Sequence, residues 1–381
     1  MSSSNFASAI NEAIDELGIA QPSTKRSHRG GRREKRRKEK CALAAQAELT
    51  ASLVEVRRTE SKGLGLFALK DLAAGTRIIS EVPLLKMAKG NLLDCRWADH
   101  ALTAFEELDA EKQAAMLNLH AGLGVKDLRK VVVEAMKAGQ VGPIDVKIAD
   151  IHDITDIEDP AFRGKIKVAS TFASNLFVVE GSKDGPMAVI GELASRVNHA
   201  CHPNVILSWN EKNQRINVHA NRDVKEGEEI MFSYTDFMGS RKERQEKLAV
   251  RGFECDCETC GNDYADKRRQ RYTQLIDSMG QDEEQVKHRK LSERENAGGL
   301  LEATEAMTLL DAEGVLTLST VEVLHKMVGY HKAMGNLHSA LDCVETEMAN
   351  VAIILGTDCA TYEMGVAEAN KLRSELEKHG V

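Results

Sequence analysis

Long apolar stretches are what this 381-residue chain lacks most plainly. No run approaches the roughly 20 apolar residues that a membrane-spanning helix requires, so neither a helical membrane protein nor a membrane partner is expected. The opening MSSSNFASAI has no basic segment followed by a long apolar one, so a secretory leader is not expected either. A disulfide framework is also missing. Of the eight cysteines, Cys255, Cys257 and Cys260 crowd together, whereas Cys41, Cys95, Cys343 and Cys359 stand alone. Clustered thiols of this kind read as metal ligands in a reducing compartment, the nucleus or the cytoplasm.

What is present allows a sizeable core. Apolar residues make up 42% of the chain, enough for two or three packed units. The net charge of −8 conceals an asymmetry, because residues 23–40 carry ten Lys or Arg against only Glu34 and Glu39. The rest of the chain is therefore at about −16, a field that attracts a basic protein segment and repels nucleic acid. The basic run STKRSHRGGRREKRRKEK is open to two readings, a nuclear-import or nucleic-acid-binding arm and a solvated charged tail.

Patterning divides the chain in three. Residues 1–50 show no strand pattern; Phe6, Ile10, Ile14 and Leu17 suggest a short amphipathic helix ahead of the basic arm. From Ala51 the stretches SLVEVRRT, KGLGLFALKDL and TRIISEVPLLKM read as short strands with turns, and residues 88–164 read as a helical insert. Strands resume at LFVVEG and MAVIG, joined through SKDG with its Asp-Gly turn signal, and again at VILSW, RINVHA and EIMFSY. Residues 263–381 carry no β pattern; Leu337, Leu341, Val344 and Met348 recur at helical spacing. Within that tail, VGYHKAMGNLHSALDCVE reads as helix, Gly-Asn turn, helix, similar to one tetratricopeptide-like hairpin.

Four stretches carry the chemistry. KGLGLFA (Lys62 to Ala68) holds a Gly-x-Gly that lets backbone approach a ligand closely, although alone it reads first as an ordinary tight turn. RVNHACHPN (Arg196 to Asn204) suits a hydrogen-bonded loop; GEEIMFSYTD (Gly227 to Asp236) is a turn, a strand and a tyrosine. GFECDCETC (Gly252 to Cys260) supplies three thiolates, one short of a closed tetrahedral zinc site. Taken singly, His199 reads as a buried core histidine, while a core tyrosine is the alternative for Tyr234 and core filler the alternative for Phe253.

In this order the four stretches resemble the SET family of protein lysine methyltransferases, and more narrowly the SET and MYND subclass and its fungal relatives. The resemblance covers Ala51 to Cys260, with a looser match for the helical tail. It implies an α+β fold of small sheets: a SET domain over 51–262, with the helical insert at 88–164 and a zinc-bound post-SET segment at 252–262, then a C-terminal helical unit. It implies S-adenosylmethionine as cofactor, S-adenosylhomocysteine as product and a protein with an accessible lysine, such as a histone, as substrate. Backbone at Lys62, Gly63 and Leu64 would touch the methionine end of the cofactor, with Asn175, Ser195, Asn198 and His199 as further contacts and Phe253 over the adenine. Tyr234 matches the catalytic tyrosine. Cys201 is implied as the fourth ligand of a structural zinc with Cys255, Cys257 and Cys260.

No dedicated base is visible, and Glu228 and Glu229 read as structural. The helical insert holds only Cys95 and no Cys/His series, so the finger that names the subclass is absent. Arg251 stands where relatives often place an aromatic, which puts substrate access and the number of methyl groups transferred in doubt. A monomer is expected. The competing reading is a catalytically weak or inactive SET-fold scaffold for protein partners.

Overall fold

The computed structural model describes residues 45–88, 90–91, 97–122, 125–137, 151–179, 185–249, 251–286 and 291–379. The basic arm, the Phe6 to Leu17 stripe, Cys41, Cys95 and the tip of the SKDG turn lie outside the described residues.

A short helix at residues 45–53 leads into three small sheets. Strand β1 (Val54–Arg58) pairs antiparallel with β2 (Leu64–Ala68), the register running from Val54 opposite Ala68 to Arg58 opposite Leu64. Gly63, at φ +78°, closes their turn in a conformation that side-chain-bearing residues avoid. The second sheet is built from β3 (Arg77–Glu81), β8 (Val205–Asn210) and β9 (Arg215–Ala220), in the order β3-β9-β8. The third is β4 (Leu85–Ala88), β6 (Met187–Ile190) and β5 (Phe177–Val179), in the order β4-β6-β5. Finally β10 (Glu229–Phe232) lies antiparallel to β2 on one side and parallel to β7 (Asn198–His199) on the other. Strand alternation explains the shared core: Leu66, Ala68, Val218, Ala220 and Ile230 point inward and are all essentially buried.

The insert consists of α1 (Trp97–Glu106), α2 (Ala110–Leu117), α3 (Val125–Lys137) and α4 (Pro160–Asn175). Helix α4 starts sharply because Asp159 accepts a hydrogen bond from the Phe162 amide and Pro160 occupies the first turn. It crosses the expected edge at 164 and continues to Asn175. Gly164 sits on its exposed face, while Phe162, Ile166, Ala169 and Phe172 form the buried stripe that carries the helix onward.

After α5 (Arg241–Ala249) and the one-turn α6 (Glu258–Gly261), the chain is helical: α7 (Asp263–Val286), α8 (Glu293–Asp311), α9 (Leu318–Ala333), α10 (Leu337–Ile354) and α11 (Ala360–His379). Each packs on the one before it. The helix, turn, helix expected around Gly335 is α9 and α10, with Gly335 at φ +76°. No helix among the described residues is long and apolar enough to cross a membrane.

The helical tail is fastened to the sheets by buried polar groups. The Arg269 side chain is fully buried, pairs with Glu313 at 2.7 Å and donates to the Cys201 carbonyl at 2.9 Å. Arg268 reaches the other Glu313 oxygen at 3.0 Å, and His202, although exposed, donates from Nε2 to the Glu313 carbonyl at 2.7 Å. Paired in this way, the buried charges add little net stability, but removing one partner would strand the other at a cost of about 3–5 kcal/mol. Further along, Arg77 bridges sheet and tail, pairing with Asp358 and donating from Nε to His219 Nε2 at 2.9 Å.

His219 makes this seam acid-sensitive. Burial pushes its imidazole pKa down to about 4, helped by the neighbouring Arg77 charge. As pH falls below about 6.5 the unfolded chain takes up the proton and the folded chain does not, so stability declines towards pH 4 by up to about 3 kcal/mol from this group. Urea unfolding between pH 7 and pH 4.5 is expected to show a shallower loss of stability for His219→Gln than for the wild type, by about one proton; identical slopes would contradict this.

Candidate active site and metal centre

The parallel pairing of β10 with β7 sets the geometry. Met231 lies opposite Asn198 and Phe232 opposite His199, so the residues just beyond β10 meet the loop just beyond β7. The Tyr234 backbone N–H donates to His199 Nδ1 at 3.0 Å. That places the imidazole proton on Nε2, which faces Cys201 Sγ at 3.2 Å. Burial pushes the His199 pKa down to about 4, so the ring is neutral and its tautomer is fixed from both sides.

Tyr234 is held as firmly. Its hydroxyl donates to the Val197 carbonyl at 2.9 Å, and burial pushes its pKa up to about 12, so it stays protonated at neutral pH. Its ring belongs to an aromatic cluster: Phe232 at 4.9 Å, His199 at 5.3 Å and Phe253 at 6.4 Å between centroids. Phe253, at 38% exposure, forms the open side of this cluster.

The Gly-x-Gly glycines have different tasks. A Cβ on Gly65 would lie 2.6 Å from Glu229 Oε1 and 2.9 Å from Asn198 Nδ2, so its smallness admits protein groups rather than a ligand. Gly63, by contrast, faces open space. Asn198 Nδ2 donates to Glu229 Oε1 at 2.7 Å and to the Leu64 carbonyl at 3.2 Å, while Lys62 Nζ sits 3.6 Å from Glu229 Oε2 and 3.5 Å from the His199 carbonyl. Lys62, Gly63, Leu64, Asn198, His199, Tyr234 and Phe253 therefore gather at one junction.

Two predicted contacts stand differently. Ser195 Oγ is buried with no hydrogen-bond partner among the described residues, which leaves it free to meet a ligand. Asn175 has committed its amide: Nδ2 donates to the His120 carbonyl at 2.6 Å and to the Thr171 carbonyl at 2.7 Å, so only its side-chain oxygen could serve a cofactor.

Cys201, Cys255, Cys257 and Cys260 come together with all four sulfurs within 4.8 Å of one another. Cys201 Sγ lies 3.4 Å from that of Cys260 and 3.8 Å from that of Cys255. Zinc–sulfur bonds of about 2.3 Å in a tetrahedron require sulfur–sulfur edges of about 3.8 Å, so the donor set fits zinc with no place left for a substrate. Hydrogen bonds from the neighbouring Cys201 and Cys255 thiols hold Cys257 far below the usual thiol range, a state ready to bind metal. None of the six cysteines in the described residues is in a disulfide.

Sequence reasoning missed the cations that surround this cluster. Arg244 is fully buried with Nη2 3.7 Å from Cys260 Sγ, and Arg269 holds the Cys201 carbonyl. Arg244 lies in RKERQEKLA, whose charge density reads as a solvated face; only Leu248, four residues on and also buried, marks the inward side. Glu228 and Glu229 bond to Asn204, Arg222 and Asn198, which agrees with structural roles.

Residues 63–235 match the family model described as SET domain. Among curated proteins, the chain is 29% identical over 201 residues to histone-lysine N-methyltransferase set5 of Schizosaccharomyces pombe, covering 52% of this chain and 48% of that one. It is 27% identical over 206 residues to N-lysine methyltransferase SMYD2-B of Danio rerio, covering 50% and 46%. The chain thus spans about half the length of the curated relatives it matches. A solved structure, the SET domain of LSMT bound to lysine and AdoHcy, overlaps 99% of this chain and 94% of its own at 13% identity and a TM-score of 0.35.

Elemental analysis of the purified protein is expected to find about one zinc per chain. Cys257→Ser should lose the metal and lower thermal stability; a stable wild-type protein without zinc would contradict the assignment.

Proposed function

We propose, from the match of residues 63–235 to the SET domain model, that this chain is an S-adenosylmethionine-dependent protein lysine N-methyltransferase. The observation that supports it most is the meeting of Tyr234, His199 and Phe253 beside the open Gly63 turn, with the four thiols directly behind His199. The fit to the cofactor rests on the buried, unpartnered Ser195 hydroxyl, the open space at Gly63 and the half-exposed apolar side chains of Leu64 and Phe253. Lys62, Gly63, Leu64, Ser195, Asn198 and His199 would hold the cofactor, Phe253 would cover it, and Asn175 would contribute its oxygen. When bound, the cofactor supplies an electrophilic methyl group on a sulfonium.

Tyr234 is suited to present the attacking amine. Because its hydrogen is donated to the Val197 carbonyl, the phenol oxygen keeps its lone pairs for an amine N–H, which leaves the nitrogen lone pair free to attack. A hydroxyl with its pKa near 12 cannot take the amine proton at neutral pH. The lysine therefore has to reach Tyr234 already neutral, its proton lost to water as its shell is stripped away. The remaining task is alignment, with the reacting atoms held about 3–3.5 Å apart.

The substrate is a protein with an accessible lysine. A basic one such as a histone suits the acidic body of the chain, at about −16 outside residues 23–40, and S. pombe set5 is named for histone lysine. Residues 23–40 would act in nuclear import, with nucleus and cytoplasm as the compartments.

Radiolabelled methyl transfer to core histones and whole-cell protein tests the activity. Tyr234→Phe is expected to fall by about two orders of magnitude with folding and zinc content retained; full activity in that variant would overturn the role of Tyr234, and no transfer by the wild type would favour the scaffold. Imaging a tagged chain without residues 1–45 should show reduced nuclear signal, and an unchanged distribution would refute the import role.

A further inference from the structure

Arg251 is the charged wall of the site that the chemistry above leaves unused. Its Nη1 donates to the Ser174 carbonyl at 2.7 Å, near the end of α4, and its guanidinium carbon stands 4.8 Å from the centroid of the Tyr234 ring. None of the ion pairs among the described residues gives it a carboxylate. Burial pushes its pKa down, and the opposing influence is Tyr234. It is a partly buried cation with no counter-anion among the described residues, fixed in place just ahead of Phe253 and Cys255.

Its position on the ring matters. An aromatic wall offers a face that attracts a substrate ammonium, as in cation–π recognition. Here Arg251 has already taken a face of Tyr234 with its own charge, while Phe232 and Phe253 tilt against the same ring. A lysine that brings its ammonium to the Tyr234 hydroxyl meets a fixed positive charge across a single ring, and like charges so placed favour the neutral form.

We propose that Arg251 is an electrostatic positioning residue that disfavours the ammonium form of the incoming lysine, so that the amine is neutral at a lower pH than an ordinary lysine. This rests on the methyltransferase reading above. The other ionisable groups near that point do not cancel the effect. His199, from β7, is kept neutral by burial. Glu229, from β10, is occupied by Lys62 and Asn198. The cysteine cluster lies beyond His199, flanked by Arg244. From α4 Arg251 meets a main-chain carbonyl.

The test is the pH dependence of transfer at saturating S-adenosylmethionine and protein substrate, using the full zinc-loaded chain with core histones and whole-cell protein. In this regime the profile reports groups in the enzyme–substrate complex. Arg251→Gln is expected to move the acid limb up by about one pH unit, costing about tenfold in rate below the limb, with the plateau regained at higher pH. Arg251→Lys keeps the charge and should leave the limb in place, with a lower plateau from lost stacking. A second readout is the titration, by NMR, of the ε-carbon of isotope-labelled substrate lysine bound in the S-adenosylhomocysteine complex, which should shift in the same direction. A lowered plateau with an unmoved limb and an unmoved titration, or a limb that moves equally in the Lys variant, would overturn the proposal. No transfer by the wild type at any pH would instead overturn the methyltransferase reading beneath it.

Discussion

Cys201 is the residue through which the parts of this protein are joined. Its sulfur belongs to the four-thiol cluster, it receives the His199 Nε2 proton, and its carbonyl accepts from the buried Arg269 of the helical tail. One residue thus ties the β7 loop, the cysteine segment at residues 252–260 and the C-terminal helices. Four thiolates around a zinc ion leave a net charge of −2, and the two fully buried arginines, 244 and 269, stand where that excess charge needs an opposite one.

From that junction the reactive side follows by rigid connections. His199 is fixed by Cys201 on one nitrogen and by the Tyr234 N–H on the other, and Tyr234 is fixed in turn by the Val197 carbonyl. A reaction that asks the protein only to align donor and acceptor gains most from groups whose orientation is already spent on such bonds. Thiol cluster, imidazole and phenol are therefore a chain of positional constraints, and in the proposed reaction the chemistry falls to its last member.

Much of this was legible in the sequence because its signals are local. Strand alternation and turn glycines marked nearly every strand, and the spacing of CDCETC marked three of the four thiols that the structure gathers. The four-stretch order then drew the candidate residues to one place, and the structure brings most of them to the β7–β10 junction. What escaped were features defined by contact. Whether Arg244, Arg251 and Arg269 face solvent or the interior depends on partners 16 to 77 residues away, which no periodicity records. Gly65 was read as space for a ligand, whereas that space is filled by Glu229 and Asn198. The bond from the Asn175 amide to the His120 carbonyl is likewise a contact that its motif does not record.

The central claim is that the thiol cluster fixes the pocket and takes no part in the chemistry. The most direct measurement is calorimetric binding of S-adenosylhomocysteine to the zinc-loaded full chain and to the same chain after chelation of its metal, with folding followed by circular dichroism. Affinity should fall by at least about tenfold on zinc removal while the sheets and helical tail stay folded, and return when zinc is restored. Equal affinity with and without the metal would contradict the claim.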